Sequence, residues 1–300
     1  MSNSNLKHLF SDVDIQINNL FQWFCANKLS LNANKTKYIL IRPRQKQCDL
    51  SALNIYINNS ELNRIGHDCE EKATKFLGII IDENLTWKYH IAHVNNKVSR
   101  ALFAIKQVKH FLPKSSLRTL YFSMIHSHFS YGLLAWGNAN KSALHRSVIL
   151  QKRALRTINN AKFNSHTDPL FKSSNILKLN DLYEHQVILF MFDYLSNKLP
   201  ISFVNTFVLN RNMPNSRLTR QSDLFYIARC QSQFANSLPL YAFPVMWNKW
   251  VTTSMVTISM SRYHFKVWTK HVLLDKYQSH VTCQYRQCPD CFTVLVNDHN

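Results

Sequence analysis

Between residues 87 and 112, apolar side chains recur at steps of three and four: Ile91, Val94, Val98, Leu102, Ile105, Val108 and Leu112. That spacing lays them on one stripe of a 3.6-residue helix, so the pattern predicts one long amphipathic helix ended by Pro113. A second helix is predicted from about Ser115, with Leu117, Leu120, Tyr121, Met124 and Ile125 on one face. A third is predicted from about Ser142, carrying Leu144, Val148, Gln151, Leu155 and Ile158. Residues 131–137, which contain Gly132 and Gly137, read as a turn region between them. Helices on such short connections predict a small bundle over residues 87–160.

Upstream the period changes. Residues 11–14, Ser-Asp-Val-Asp, read as a helix N-cap, followed by Val13, Ile17, Leu20, Phe21 and Phe24 at helical spacing. Residues 38–41 form a short apolar run stopped by Pro43, which predicts a buried strand. Residues 53–57 and 61–65 around Asn58-Asn59 read as a β-hairpin, because Asn tolerates left-handed turns. Residues 76–81 read as another strand. The predicted fold class is therefore α+β, with mixed structure over 1–86, the bundle over 87–160 and a mostly α-helical region over 161–300. In that last region, helices are predicted over 181–195 and 261–277, with a loop over 212–221 and an irregular segment around Pro239, Pro244 and Trp247.

Charge sharpens this picture. Lys and Arg number 36 against 17 Asp and Glu, a formal net charge of +19. Such an excess suits a polyanionic partner held through phosphates, in competition with a merely solvated basic surface or an anionic membrane surface. The acids are also unevenly spread: between Asn84 and Asn180 only Asp168 occurs. A solvated helix normally alternates charge signs at i, i+4, so this stretch predicts a face turned toward phosphates. The basic residues are Lys88, Lys97, Arg100, Lys106 and Lys109 on the first helix, and Arg146, Lys152, Arg153 and Arg156 on the third.

Several chemistries are excluded. Four glycines, at 66, 78, 132 and 137, cannot spell a P-loop or a dinucleotide fingerprint. No apolar secretory segment follows Met1, and the charge-free stretch between Leu120 and Lys141 is broken by serines and histidines, so no membrane span is expected. Seven scattered cysteines fit reduced thiols, and an intracellular location, cytoplasm or nucleus, is expected. The acidic pairs Asp12/Asp14, Glu70/Glu71 and Asp82/Glu83 read as a helix start, a polar loop and a turn rather than metal sites. His280, Cys283, Cys288 and Cys291 have spacing that could hold Zn²⁺ or leave free thiols near a terminus, and no metal is assigned to them. His126 and His128 flank Ser127 without a nearby acid to orient them, and they read as core or surface histidines.

Three stretches together resemble the reverse transcriptases of non-LTR, LINE-type, jockey-like retrotransposons. The first is Trp23 to Asn32 with Lys35-Thr36, which is similar to the helix and strand after that family's catalytic hairpin. The second is Lys75-Phe76-Leu77-Gly78 with residues 79–82 and Trp87, similar to the primer-grip strand leading into the thumb. The third is Leu117 to Trp136 with Gln151 to Arg156, similar to the thumb helices. Thr219-Arg220-Gln221 and Met246-Trp247-Asn248 resemble the tail of such elements.

The resemblance implies a residual palm over 1–86, a thumb bundle over 87–160 and a C-terminal extension over 161–300. It implies Lys35 near a nucleotide's phosphates and Phe76, Leu77 and Gly78 as a primer grip. The family's reaction needs Mg²⁺, held by an aspartate pair expected just before this chain's first residues. No Asp-Asp pair occurs in the sequence, so no catalytic residue and no retained cofactor are assigned. The expected function is that of a polymerase fragment binding RNA, DNA or an RNA–DNA hybrid through backbone and shape. Two alternatives stay open: a domesticated protein-interaction module, and a truncated version of an active reverse transcriptase. Strands without their central neighbours would expose edges, so marginal stability is expected for 1–86.

Overall fold

The computed structural model describes residues 6–44, 54–58, 60–214, 221–230, 232–253 and 260–278. The zinc candidates His280, Cys283, Cys288 and Cys291 lie outside the described residues, as do Thr219 and Arg220. The chain forms a mixed α+β fold that divides into two compact units, residues 1–90 and 91–300.

The first unit opens on helix α1 (Leu6–Ala26). Phe10 is buried against Ile55, Ile57 and Leu62, with Leu6, Val13, Ile17 and Phe21 packed around them. The apolar stripe thus begins at Leu6, and residues 11–14 lie inside the helix rather than capping it. Burial of Phe10 carries the helix through a polar run that, read locally, resembles a start.

Among the described residues the strands pair only in twos. Strand β1 (Lys37–Ile39) runs parallel to β4 (Asn63–Ile65). Strand β2 (Tyr56–Ile57) runs antiparallel to β3 (Ser60–Glu61). Strand β5 (Ala73–Phe76) runs antiparallel to β6 (Ile79–Asp82). The expected hairpin over 53–65 therefore forms only at its tip, and its return arm leaves to pair with β1. The expected single strand over 76–81 is instead a hairpin turning at Leu77 and Gly78, with φ 45° and 86°. Two consecutive left-handed residues make the tight turn whose twist suits flanking strands.

Asp82, the last residue of β6, and Glu83 after it are both committed to architecture. Asp82 accepts from Thr86 N at 3.1 Å, Thr86 Oγ1 at 2.9 Å and Trp87 N at 3.1 Å. These bonds fix a turn in which Leu85 and Trp87 both take positive φ. Glu83 accepts from Arg42 at 2.9 Å and from His67 N at 3.2 Å, and lies 3.7 Å from Arg64.

Helix α2 (Lys88–Val108) begins in the first unit and continues into the second. It stops four residues short of the expected end, and Phe111 is exposed beyond it. Pro113 disfavours helical geometry at the preceding residue, which shortens the helix. Helices α3 (Lys114–Tyr121) and α4 (Ser127–Ser130) are joined by a five-residue π-helical turn (Phe122–His126). Gly132, at φ 60°, turns the chain into the short helix α5 (Leu133–Trp136). Helix α6 (Lys141–Ile158) follows, then α7 (Asp168–Ser173) and α8 (Leu179–Leu195), which is buried on most sides.

The last described helices are α9 (Gln233–Ser237), α10 (Pro239–Thr253) and α11 (Arg262–Asp275). The segment expected to be irregular is thus helical, although Pro244 lies inside it. An internal proline costs about 3 kcal/mol of helix stability. Burial of Phe243, Trp247 and Trp250, with α10 packed on α8, offsets that cost. Asp193 at the end of α8 takes a two-pronged ion pair from Arg262 at 2.7 to 2.9 Å.

Three histidines of this unit give the fold a pH dependence. Burial holds His126, His128 and His185 below the ordinary imidazole value, and nearby cations add to the effect. Below about pH 6.5 the unfolded chain binds protons that the folded one refuses, so stability falls with acidification. Asp181, pushed up by burial, acts in the opposite sense. His185→Gln isolates the histidine contribution: between about pH 7.5 and about pH 5.5 it is expected to lose less stability to urea than wild type. Parallel losses in the two proteins would contradict this assignment.

Candidate nucleic-acid interface

Residues 85–180 contain fifteen Lys and Arg against one acid. That acid, Asp168, is buried and paired with Lys178 at 2.9 Å. The outer surface of this stretch therefore displays positive charge without compensation from its own sequence.

Helix α6 sorts its residues cleanly. Leu144, Ser147, Leu150, Gln151, Ala154, Leu155 and Ile158 are buried on its inner side. His145, Arg146 and Arg153 are exposed on the other, flanked by half-buried Lys152 and Arg156. Arg146 and Arg153 are seven residues apart, about two turns, so they stand nearly in line along the axis. Neither has an ion-pair partner among the described residues. Arg156 is braced by its Nε, which donates to Ser165 O at 2.9 Å.

The cations of α2 are arranged differently. Ile91, Val94, Val98, Ala101, Leu102 and Ile105 form its buried face. Lys97, Arg100 and Lys106 are exposed. With Phe103, which is 63% exposed, they form a row at steps of three, and such a row winds around the helix. Lys97 is close enough to His93 and His128 for the positive charges to act together on His128. Lys109 lies just past the last helical residue. Lys88 lies in the first turn, within the first unit, with its ammonium 4.8 Å from the centre of the Tyr89 ring. The nine cations therefore do not share one face: those of α6 converge, and those of α2 spiral. A buried bond joins the two helices, with Ser147 Oγ donating to Asn95 Oδ1 at 2.7 Å.

In the first unit, Lys35 and Phe76 meet at an open cavity of about 330 Å³, also lined by Lys37, Tyr38, Thr74 and Lys75. Asn32 holds the turn carrying Lys35, its Oδ1 accepting from Lys35 N at 3.2 Å. Lys37 is ion-paired with Glu71. Three ammonium groups beside two aromatic rings suit an anionic, planar ligand. Lys37, Tyr38 and Lys75 were missed in the sequence because the pairing of β1 with β4, and of β5 with β6, is what gathers them. Leu77 does not line this cavity. It stands 75% exposed at the hairpin tip, in a conformation disfavoured for a side chain with a Cβ. Leu77→Gly is expected to stabilise the first unit by about 1 kcal/mol, read as a higher urea midpoint. A lower midpoint would mean that the leucine is packed rather than displayed.

No helix among the described residues is long and apolar enough to cross a membrane. Nor do the described residues contain a group of three or more His, Cys, Asp or Glu able to hold a metal ion.

No family model matches the chain, and no solved structure matches it. The chain is similar to the RNA-directed DNA polymerase from mobile element jockey of Drosophila melanogaster, 28% identical over 169 residues. The match covers 53% of this chain and 17% of that protein's length. This is distant homology to a non-LTR retrotransposon reverse transcriptase, at family level.

Proposed function

We propose that this distant relative of a retrotransposon polymerase binds the sugar–phosphate backbone of RNA, DNA or an RNA–DNA hybrid. In this reading residues 1–86 correspond to the end of a palm, 87–160 to a thumb and 161–300 to an extension. The chain grips the nucleic acid, and none of its residues is assigned to the nucleotidyl-transfer chemistry. Asp82 and Glu83, the adjacent acids nearest the palm-like strands, already serve the fold.

One observation supports the reading above the others: the outward face of α6 is basic, and the stretch around it has no free acid. Phosphates are the chemistry such a face recognises without reading sequence. Lys35 and Phe76 supply a second, smaller contact in the first unit, with Phe76, Leu77 and Gly78 at a hairpin tip where a backbone strand can approach.

The test is binding of a labelled hybrid duplex, followed by anisotropy as salt is raised. Three to four phosphate contacts predict roughly a hundredfold loss of affinity over a fourfold rise in salt. Affinity indifferent to salt would favour a protein-interaction module instead. Primer extension by the purified chain with Mg²⁺ would overturn the assignment of grip without chemistry.

A further inference from the structure

Helix α6 ends at Ile158, and the chain that follows is bonded back onto it. Asn160 takes a left-handed φ of 50°, its N–H donates to Thr157 O at 3.2 Å, and Ala161 N donates to Arg156 O at 2.9 Å. This pair of bonds closes the last helical turn on its own carbonyls. Ser165 N then donates to Lys162 O at 3.0 Å, which makes a tight turn with Phe163 and Asn164 at its centre. Arg156 of α6 holds that turn from the helix, its Nε donating to Ser165 O at 2.9 Å. The turn is therefore fixed at the C-terminal end of the helix that carries Arg146 and Arg153.

Phe163 stands 79% exposed at the tip, between exposed Lys162 and Asn164. Central turn positions favour Pro, Asp, Asn, Ser or Gly, and a phenyl ring placed there forgoes its burial. Single exposed apolar side chains are common, so exposure alone assigns no partner. The charge around the ring does. Arg153 and Arg156 are neighbours at i, i+3 on α6, and Arg156 grips the turn. Lys162 has no ion-pair partner among the described residues. The one acid of residues 85–180, Asp168, is buried against Lys178. A displayed aromatic ring in a cationic setting without a free acid fits a partner that is planar and anionic at once.

We propose that Phe163 stacks on an unpaired base of a nucleic-acid strand whose phosphates lie along α6. The inference rests on the function proposed above and adds the kind of strand that this end of α6 takes. Bases inside a duplex are stacked on one another and offer the ring no free face, whereas bases of a single strand do. The bonds that hold the turn present the ring already ordered, which lowers the entropy lost on binding.

The experiment uses the full chain and follows anisotropy with two labelled probes. One is a twelve-residue oligothymidylate, and the other is an abasic oligomer with the same number of phosphates. Phe163→Ala is expected to bind the oligothymidylate about tenfold more weakly, the loss of one base stack, with the slope of log affinity against log salt unchanged. Its affinity for the abasic oligomer should equal that of wild type, which also reports that the variant is folded. Phe163→Trp keeps an aromatic face and should retain the affinity, whereas Phe163→Leu keeps only bulk and should not. Tyr263→Ala, at an exposed aromatic of α11, is the control and should change neither titration. Equal binding of the oligothymidylate by wild type and Phe163→Ala would overturn the stacking and leave the phosphate grip standing. Equal losses on both probes would show that Phe163 acts through the shape of the turn, which also overturns it. A wild type that binds the hybrid duplex but neither oligomer would sink this inference alone, and one that binds none of the three would sink the proposed function with it.

Discussion

Gln151→Leu is expected to destabilise the second unit by roughly 3–5 kcal/mol, although the two side chains are similar in size. Gln151 is fully buried in α6. Its Nε2 donates to Tyr121 Oη and to Leu177 O, each at 3.0 Å, and its Oε1 accepts from Leu179 N at 2.8 Å. One side chain thus joins α3 to the start of α8 and satisfies an N–H that the first turn of α8 leaves open. Leucine fills the volume but strands three polar groups away from water. For a unit of this size the loss corresponds to a fall of about 10 °C in melting temperature. Tyr121→Phe alone removes one bond of the set and should cost about 1 kcal/mol. The double variant should fall short of the sum of the two, because both substitutions act on one network. Additive losses would show that Gln151 and Tyr121 contribute independently.

The second large effect concerns binding. Arg146→Ala with Arg153→Ala should lower affinity for any duplex, whatever its sequence, and reduce the slope of log affinity against log salt by about 2. Both side chains are exposed and neither is ion-paired among the described residues, so stability should change by less than about 0.5 kcal/mol. Arg100→Ala with Lys106→Ala, on the spiralling row of α2, should have the smaller effect, since those cations diverge around the helix. An unchanged slope in the α6 variant would show that the phosphates are held elsewhere.

The second unit was far easier to read in the sequence than the first. The apolar steps of three and four along α2 and α6, and the apolar run of α8, mark helices whose burial is set by neighbours in sequence. Strand partners are set by distant residues. Nothing local states that residues 63–65 leave their hairpin to lie beside residues 37–39. The turn at Leu77 was hidden because leucine is an unusual residue there, and the helix around Pro244 because aromatic burial overrides proline. The candidate site divides in the same way. Arg146 and Arg153 were legible from spacing and from the scarcity of acids. The cavity at Lys35 depends on contacts between elements remote in sequence.

The four polar bonds on the inner side of α6, one from Ser147 to Asn95 and three between Gln151 and its partners, also set the helix's rotational phase. Greasy contacts alone tolerate a few degrees of roll, whereas directional bonds do not. The arginines on the far side are therefore displayed at a fixed azimuth before any ligand arrives. A preorganised array of this kind loses less freedom on docking, so under the proposed function the hidden amide of Gln151 would shape affinity at a surface it never touches.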